Sequence, residues 1–64
     1  MSVTKKLLAD VIVGKCGHRF QCWVVKFADG TWELHFSAPC DVCQAIAKEV
    51  SLAAFPTRTP KLVD

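Results

Sequence analysis

The chain has 64 residues, with 52% of them hydrophobic, eight Lys and Arg against six Asp and Glu, and four cysteines. That length supplies one domain whose apolar core alone rarely offsets the entropy of ordering the chain, so a disulfide or metal staple is expected. A net charge of +2, with the basic residues scattered, excludes the dense basic arm of a dedicated nucleic-acid binder without excluding phosphate contact. No apolar run approaches the roughly 18 residues of a membrane span.

Residues 1–6 are polar and read as a flexible tail. Lys5-Lys6 ahead of Leu7-Leu8-Ala9 resembles the start of a signal peptide, but Asp10 interrupts the apolar run and no small-residue cleavage site follows. A soluble, reduced, cytoplasmic protein is therefore expected, in which cysteines serve better as metal ligands than as disulfides. Val11-Ile12-Val13 before Gly14 predicts a short strand entering a turn. Cys16-Gly17-His18 then sets a glycine between two potential ligands, as a tight knuckle around an ion requires.

Asp29-Gly30 is a two-residue hairpin signal, because a type I′ turn needs positive φ at both central positions. With that loop, Trp23, Val25, Phe27, Trp32, Leu34 and Phe36 share one face, while Cys22, Val24, Lys26, Glu33, His35 and Ser37 share the other. Lys26 then lies opposite Glu33. A three-residue loop shifts the register by one and divides the large side chains between the faces, so the pattern predicts the two-residue loop.

Beyond Pro39, residues 41–54 follow a helical period, with Val42, Ala45, Ile46, Val50 and Ala53 as the apolar stripe and Gln44, Lys48 and Ser51 outside it. Phe55-Pro56 ends the helix, since proline cannot continue it. Residues 56–64, with two prolines and no period, read as a second flexible tail, which leaves residues 1–64 as a single zinc-binding domain.

Cys40 and Cys43 open this helix two residues apart, so both sulfurs reach one ion, and the helix N-terminus favours their thiolate form. Structural zinc takes four ligands tetrahedrally, and the hairpin returns the knuckle to the helix start. The leading set is Cys16, His18, Cys40 and Cys43. A set with Cys22 in place of His18 is the alternative, His35 is a weaker candidate, and two disulfides are the remaining reading, for which the Cys40/Cys43 spacing is poor.

Knuckle, β-hairpin, then a helix whose first turn carries the last two ligands resembles the treble-clef zinc finger over residues 14–54. Here C-x-H stands where the family more often has C-x-x-C at the knuckle. The resemblance implies a small zinc-stabilised α+β domain: a short N-terminal strand, the knuckle, the hairpin and one C-terminal helix. It implies no particular activity, since such domains serve many ends. A zinc ribbon would instead place its second ligand pair on a hairpin tip.

Pro39-Cys40-Asp41-Val42-Cys43 also matches half of the zinc-deaminase signature, but the upstream H-x-E is missing. Four protein ligands leave no open position for a reacting water, so no enzyme is expected. The expected role is binding a macromolecule, with a slight preference for DNA or RNA through Lys15, Arg19, Lys26, Arg58 and Lys61. The alternatives are a protein partner, as for a small phage-type regulator of a host protein, and pairing with a second copy as a homodimer.

Overall fold

The computed structural model describes residues 3–63; residues 1–2 and 64, parts of the two expected tails, lie outside the described residues. The elements run β1 (Thr4–Ile12), β2 (Arg19–Lys26), β3 (Trp32–Ser37), α1 (Asp41–Ala54) and β4 (Lys61–Leu62). They form one four-stranded sheet in the order β1-β2-β3-β4, crossed on one face by α1. The α+β class, the central hairpin and the single helix agree with the sequence reading. Among the described residues no helix is long and apolar enough to cross a membrane.

The N-terminal strand is longer than Val11-Ile12-Val13 suggests. Thr4–Lys6, which the sequence alone places in a tail, pair with Val24–Lys26 across an antiparallel ladder, and a bulge at Leu8 lets the strand bend over the core. At the other end, Lys61–Leu62 pair in parallel with His35 and Phe36. The Val63 N–H extends that pairing by donating to the Phe36 carbonyl at 2.8 Å.

The hairpin differs from expectation by one residue. The Phe27 N–H donates to the Thr31 carbonyl at 2.9 Å and the Gly30 N–H to the Phe27 carbonyl at 3.1 Å. The loop is therefore Ala28-Asp29-Gly30, a turn closed by a glycine at φ +91°, which is the three-residue arrangement with its left-handed third residue. Asp29 Oδ1 secures it by accepting from the Thr31 hydroxyl at 2.7 Å and the Thr31 N–H at 3.0 Å.

Cys22 consequently faces Phe36, Val24 faces Leu34 and Lys26 faces Trp32, and the predicted faces are redistributed. Phe20, Cys22 and Phe36 join Val13, Cys43 and Ala47 in the core beneath α1. Trp23, Val25, Glu33 and His35 occupy the opposite face. Gathering the bulky residues of both strands on one face requires the other to meet water alone. With β1 added alongside β2, Val25 reaches 4% exposure on the far face, so both faces accept apolar side chains. The expected Lys26–Glu33 pair is absent; Glu33 holds Lys61 at 2.6 Å and His35 at 2.9 Å instead.

The helix is also rotated from the predicted stripe. Cys43, Ala47 and Ser51 are its buried residues, with Ile46 and Val50 packed beside them, whereas Val42, Ala45 and Ala53 are exposed. Anchoring Cys43 at 0% exposure turns the apolar face by one residue, about 100° of a 3.6-residue turn. The rotation carries the Ser51 hydroxyl into the core, where it has no hydrogen-bond partner among the described residues, at a cost of about 1–3 kcal/mol.

Candidate metal centre

The knuckle is built by the chain reversing between β1 and β2. The Val13 N–H donates to the His18 carbonyl and the Gly17 N–H to the Val13 carbonyl, both at 2.8 Å, which closes residues 14–17 into a loop. Gly17 sits at φ +69°, a left-handed conformation that side-chain-bearing residues rarely adopt. It turns the chain between Cys16 and His18 so that the two side chains converge.

Across the sheet, Cys40 occupies the N-cap of α1 in an extended conformation, with φ −149° and ψ 169°. Its carbonyl accepts the first helical bond, from the Gln44 N–H at 2.9 Å. Cys43 follows three residues later, within the first turn and under the sheet. Phe20, Cys22 and Phe36 pack around Cys43, so the core fixes the inner edge of the site.

The donor atoms of Cys16, His18, Cys40 and Cys43 all lie within 4.8 Å of one another. The Cys16 and Cys43 sulfurs are 3.3 Å apart, and His18 Nδ1 is 3.3 Å from the Cys40 sulfur. All four cysteines are free; a disulfide needs about 2.05 Å between sulfurs, which excludes the disulfide reading here. A tetrahedron with about 2.3 Å metal–sulfur bonds has edges of about 3.8 Å, and the observed separations bracket that value.

The electrostatics of the group call for a cation. The Cys43 N–H at the open end of the helix pulls the Cys40 thiol down to about 6, with His18 as the next influence. This is the field of an unpaired N–H rather than a formed cap, since Cys40 makes no side-chain capping hydrogen bond. Burial pushes Cys43 up to about 12, and its neighbours Cys16 and Cys40 push in the same direction. Sulfurs gathered this closely repel one another as thiolates, and a divalent ion at their centre removes that conflict. The set fits a metal, three sulfurs and one imidazole suiting zinc among the divalent ions.

The other sequence candidates lie apart from this group. Cys22 is 0% exposed and its sulfur points to the Ala47 carbonyl, 3.7 Å away, among apolar neighbours. His35 is on the far face of the sheet, held by Glu33. Of the basic residues, Arg19 is bound to both carboxylate oxygens of Asp10, at 2.6 and 2.7 Å. The pair holds the Asp10 carboxyl below its usual range, chiefly through Arg19 and then Gln21. Lys61 is bound to Glu33. Arg58 stacks over Trp32 at 4.2 Å and donates to its carbonyl at 3.3 Å. Lys15, in the knuckle turn, and Lys26, at the end of β2, are both exposed.

Asp10 has a part that the sequence reading did not give it. Its signal was present in the strand-forming run around it, once Arg19 is seen as the residue that pairs back onto that run.

No protein-family model matches this chain, and neither a curated protein nor a solved structure gives a significant match to it.

Proposed function

We propose that this is a non-catalytic binding module of the treble-clef kind, held in shape by one zinc ion on Cys16, His18, Cys40 and Cys43. The observation that carries the reading is the convergence of four donors, three of them sulfur, within 4.8 Å. Four protein ligands complete the tetrahedral shell, so the ion is structural and has no position for a substrate.

A polypeptide is the partner this surface fits best. β1 is an edge strand nine residues long, and Leu7, Val11 and Ile12 on it and Val3 just before it are all exposed, Ile12 at 73%. An unpaired edge with exposed apolar residues is a template for strand addition, here at its Val11–Ile12 end, away from Lys5, Lys6 and the bulge. A second copy of the chain is the simplest strand to add, which gives the homodimer its physical basis.

One observation favours nucleic acid as the second reading. Trp23, expected in the core, lies on the far face of the sheet with the Lys5 ammonium 4.4 Å from its ring, an aromatic beside a cation of the kind bases stack on. Against it, Arg19 and Lys61 are spent on Asp10 and Glu33.

Titration of the zinc-loaded protein with labelled single- and double-stranded oligonucleotides, with sedimentation of the protein alone, decides between the two. Concentration-dependent dimerisation lost in Val11→Lys, with no oligonucleotide binding at low salt, supports the polypeptide reading. Oligonucleotide binding that falls steeply with salt, by several log units per log unit of salt, overturns it.

A further inference from the structure

The helix covers only the knuckle end of the sheet. Past its last turn, a cleft of about 590 Å³ opens between the strands and the hairpin tip, within the size range of sites for small ligands. Its apolar wall comes from Leu8, Val24, Phe27, Trp32 and Phe55. Trp32 and Phe55 brace each other with ring centroids 5.1 Å apart at 60°, so this aromatic corner is fixed in shape.

Two lysines also line it, Lys6 and Lys26. Lys6 pairs with Val24, and Thr4 with Lys26, which makes Lys6 and Lys26 diagonal neighbours on the same face of the sheet, about 7–8 Å apart between backbones. Both are exposed, and neither takes part in an ion pair among the described residues. Among the described residues no carboxylate lines the cleft. Asp29, the acid nearest in the chain, is turned into the loop by both bonds to Thr31, and Glu33 is on the other face with Lys61. Two like charges side by side at the rim of an apolar cavity repel until an anion lies between them.

We propose that this cleft binds a free amphiphilic anion, a small molecule with an apolar acyl body against Trp32, Phe55 and Val24 and a single carboxylate between Lys6 and Lys26. Neither ammonium needs to leave water for this, because long lysine side chains lie along apolar surface and present the charge at its edge. The inference goes beyond the binding-module reading: the cleft is at the opposite end of the sheet from the clustered Cys16, His18, Cys40 and Cys43, and shares only the start of β1, Lys6 to Leu8, with the edge strand.

The test is titration of the metal-loaded protein with decanoate below its micelle-forming concentration, followed by tryptophan emission, with Trp32→Phe to assign the signal. Saturable binding is expected, with decanol about tenfold or more weaker because it lacks the charge-assisted contacts. Lys6→Gln with Lys26→Gln should reduce decanoate to the decanol level while leaving metal content and far-UV circular dichroism unchanged. Absence of saturable binding, equal affinity for decanol, or insensitivity to the double substitution overturns the proposal. So does sedimentation with anionic phosphatidylglycerol vesicles in the absence of decanoate binding, which would make the lysines a membrane contact.

Discussion

The two ends of this sheet solve the same problem in different ways. Each is closed by a tight reversal that relies on one left-handed glycine, Gly17 at the knuckle and Gly30 at the hairpin tip. At the knuckle end, the reversal carries two donors to meet two more on α1, and Val13, Phe20, Cys22, Phe36, Cys43 and Ala47 are buried behind them. Toward the tip, Val25 and Leu34 are buried, but Val24, Phe27 and Trp32 remain partly exposed around a cleft. A chain of this size has one helix to spend as a cover. It lies where Cys40 and Cys43 meet Cys16 and His18, and the uncovered apolar surface is left at the other end.

If that division is right, the largest effect comes from removing the ion. Chelation should unfold the domain, since structural zinc supplies about 10 kcal/mol or more of apparent folding free energy in comparable small sites. Far-UV circular dichroism with and without a strong chelator reads this directly. Metal content by native mass spectrometry should be lost in His18→Ala and kept in Cys22→Ser, because the Cys22 sulfur faces the Ala47 carbonyl rather than the other donors. An unchanged spectrum after chelation would mean that the apolar core suffices and the two ends do not differ in kind.

A smaller effect sharpens the contrast within the apolar layer. Phe20→Ala, at 1% exposure behind the ligands, should cost about 3–5 kcal/mol in denaturant unfolding of the metal-loaded protein. Trp32→Ala removes a larger side chain but a half-exposed one, and should cost less than Phe20→Ala despite its size. The opposite order would locate the working core at the tip and make the cleft wall a load on stability rather than a free surface.

The convergence of Cys16, His18, Cys40 and Cys43 is easier to read than the sheet that carries them, for a physical reason. Cys16 and His18, and likewise Cys40 and Cys43, converge through local geometry, one glycine turn and one helical turn, so spacing alone exposes them. Register is not local. Asp29-Gly30 suits a two-residue loop and equally a three-residue loop with Gly30 in the left-handed position, and the choice depends on β1 and α1 packing on β2. Treating Cys43 only as a ligand also set the helix phase wrong; counted as a buried apolar residue, it gives the 43–47–51 face that packs. The parallel pairing of Lys61–Leu62 has no sequence signal at two residues, because its hydrogen bonds come from β3. Leu8, at the bulge, and the polar Lys5-Lys6 pair likewise hid a nine-residue strand.

The smallest effect concerns how that last strand is held. Glu33 binds Lys61 first and His35 second, and both hold its carboxyl below the usual range. A depressed carboxylate contributes stability that is complete above its unfolded value and is lost as pH falls through its folded value, so the tie should fail only in acid below the ordinary carboxylate range. Thiolates bound to a metal take up protons and release the ion before that point, and acidification of the natural chain would therefore report loss of the metal. Glu33→Gln separates the two by removing the charge at neutral pH. Its expected signature is faster hydrogen exchange at the Val63 amide, which donates to the Phe36 carbonyl, with metal content and the response to chelator unaltered. Exchange unchanged at Val63 would show that the backbone bond, and not the ion pair, keeps β4 on the sheet; exchange that quickens at the knuckle as well would show that the two ends are coupled.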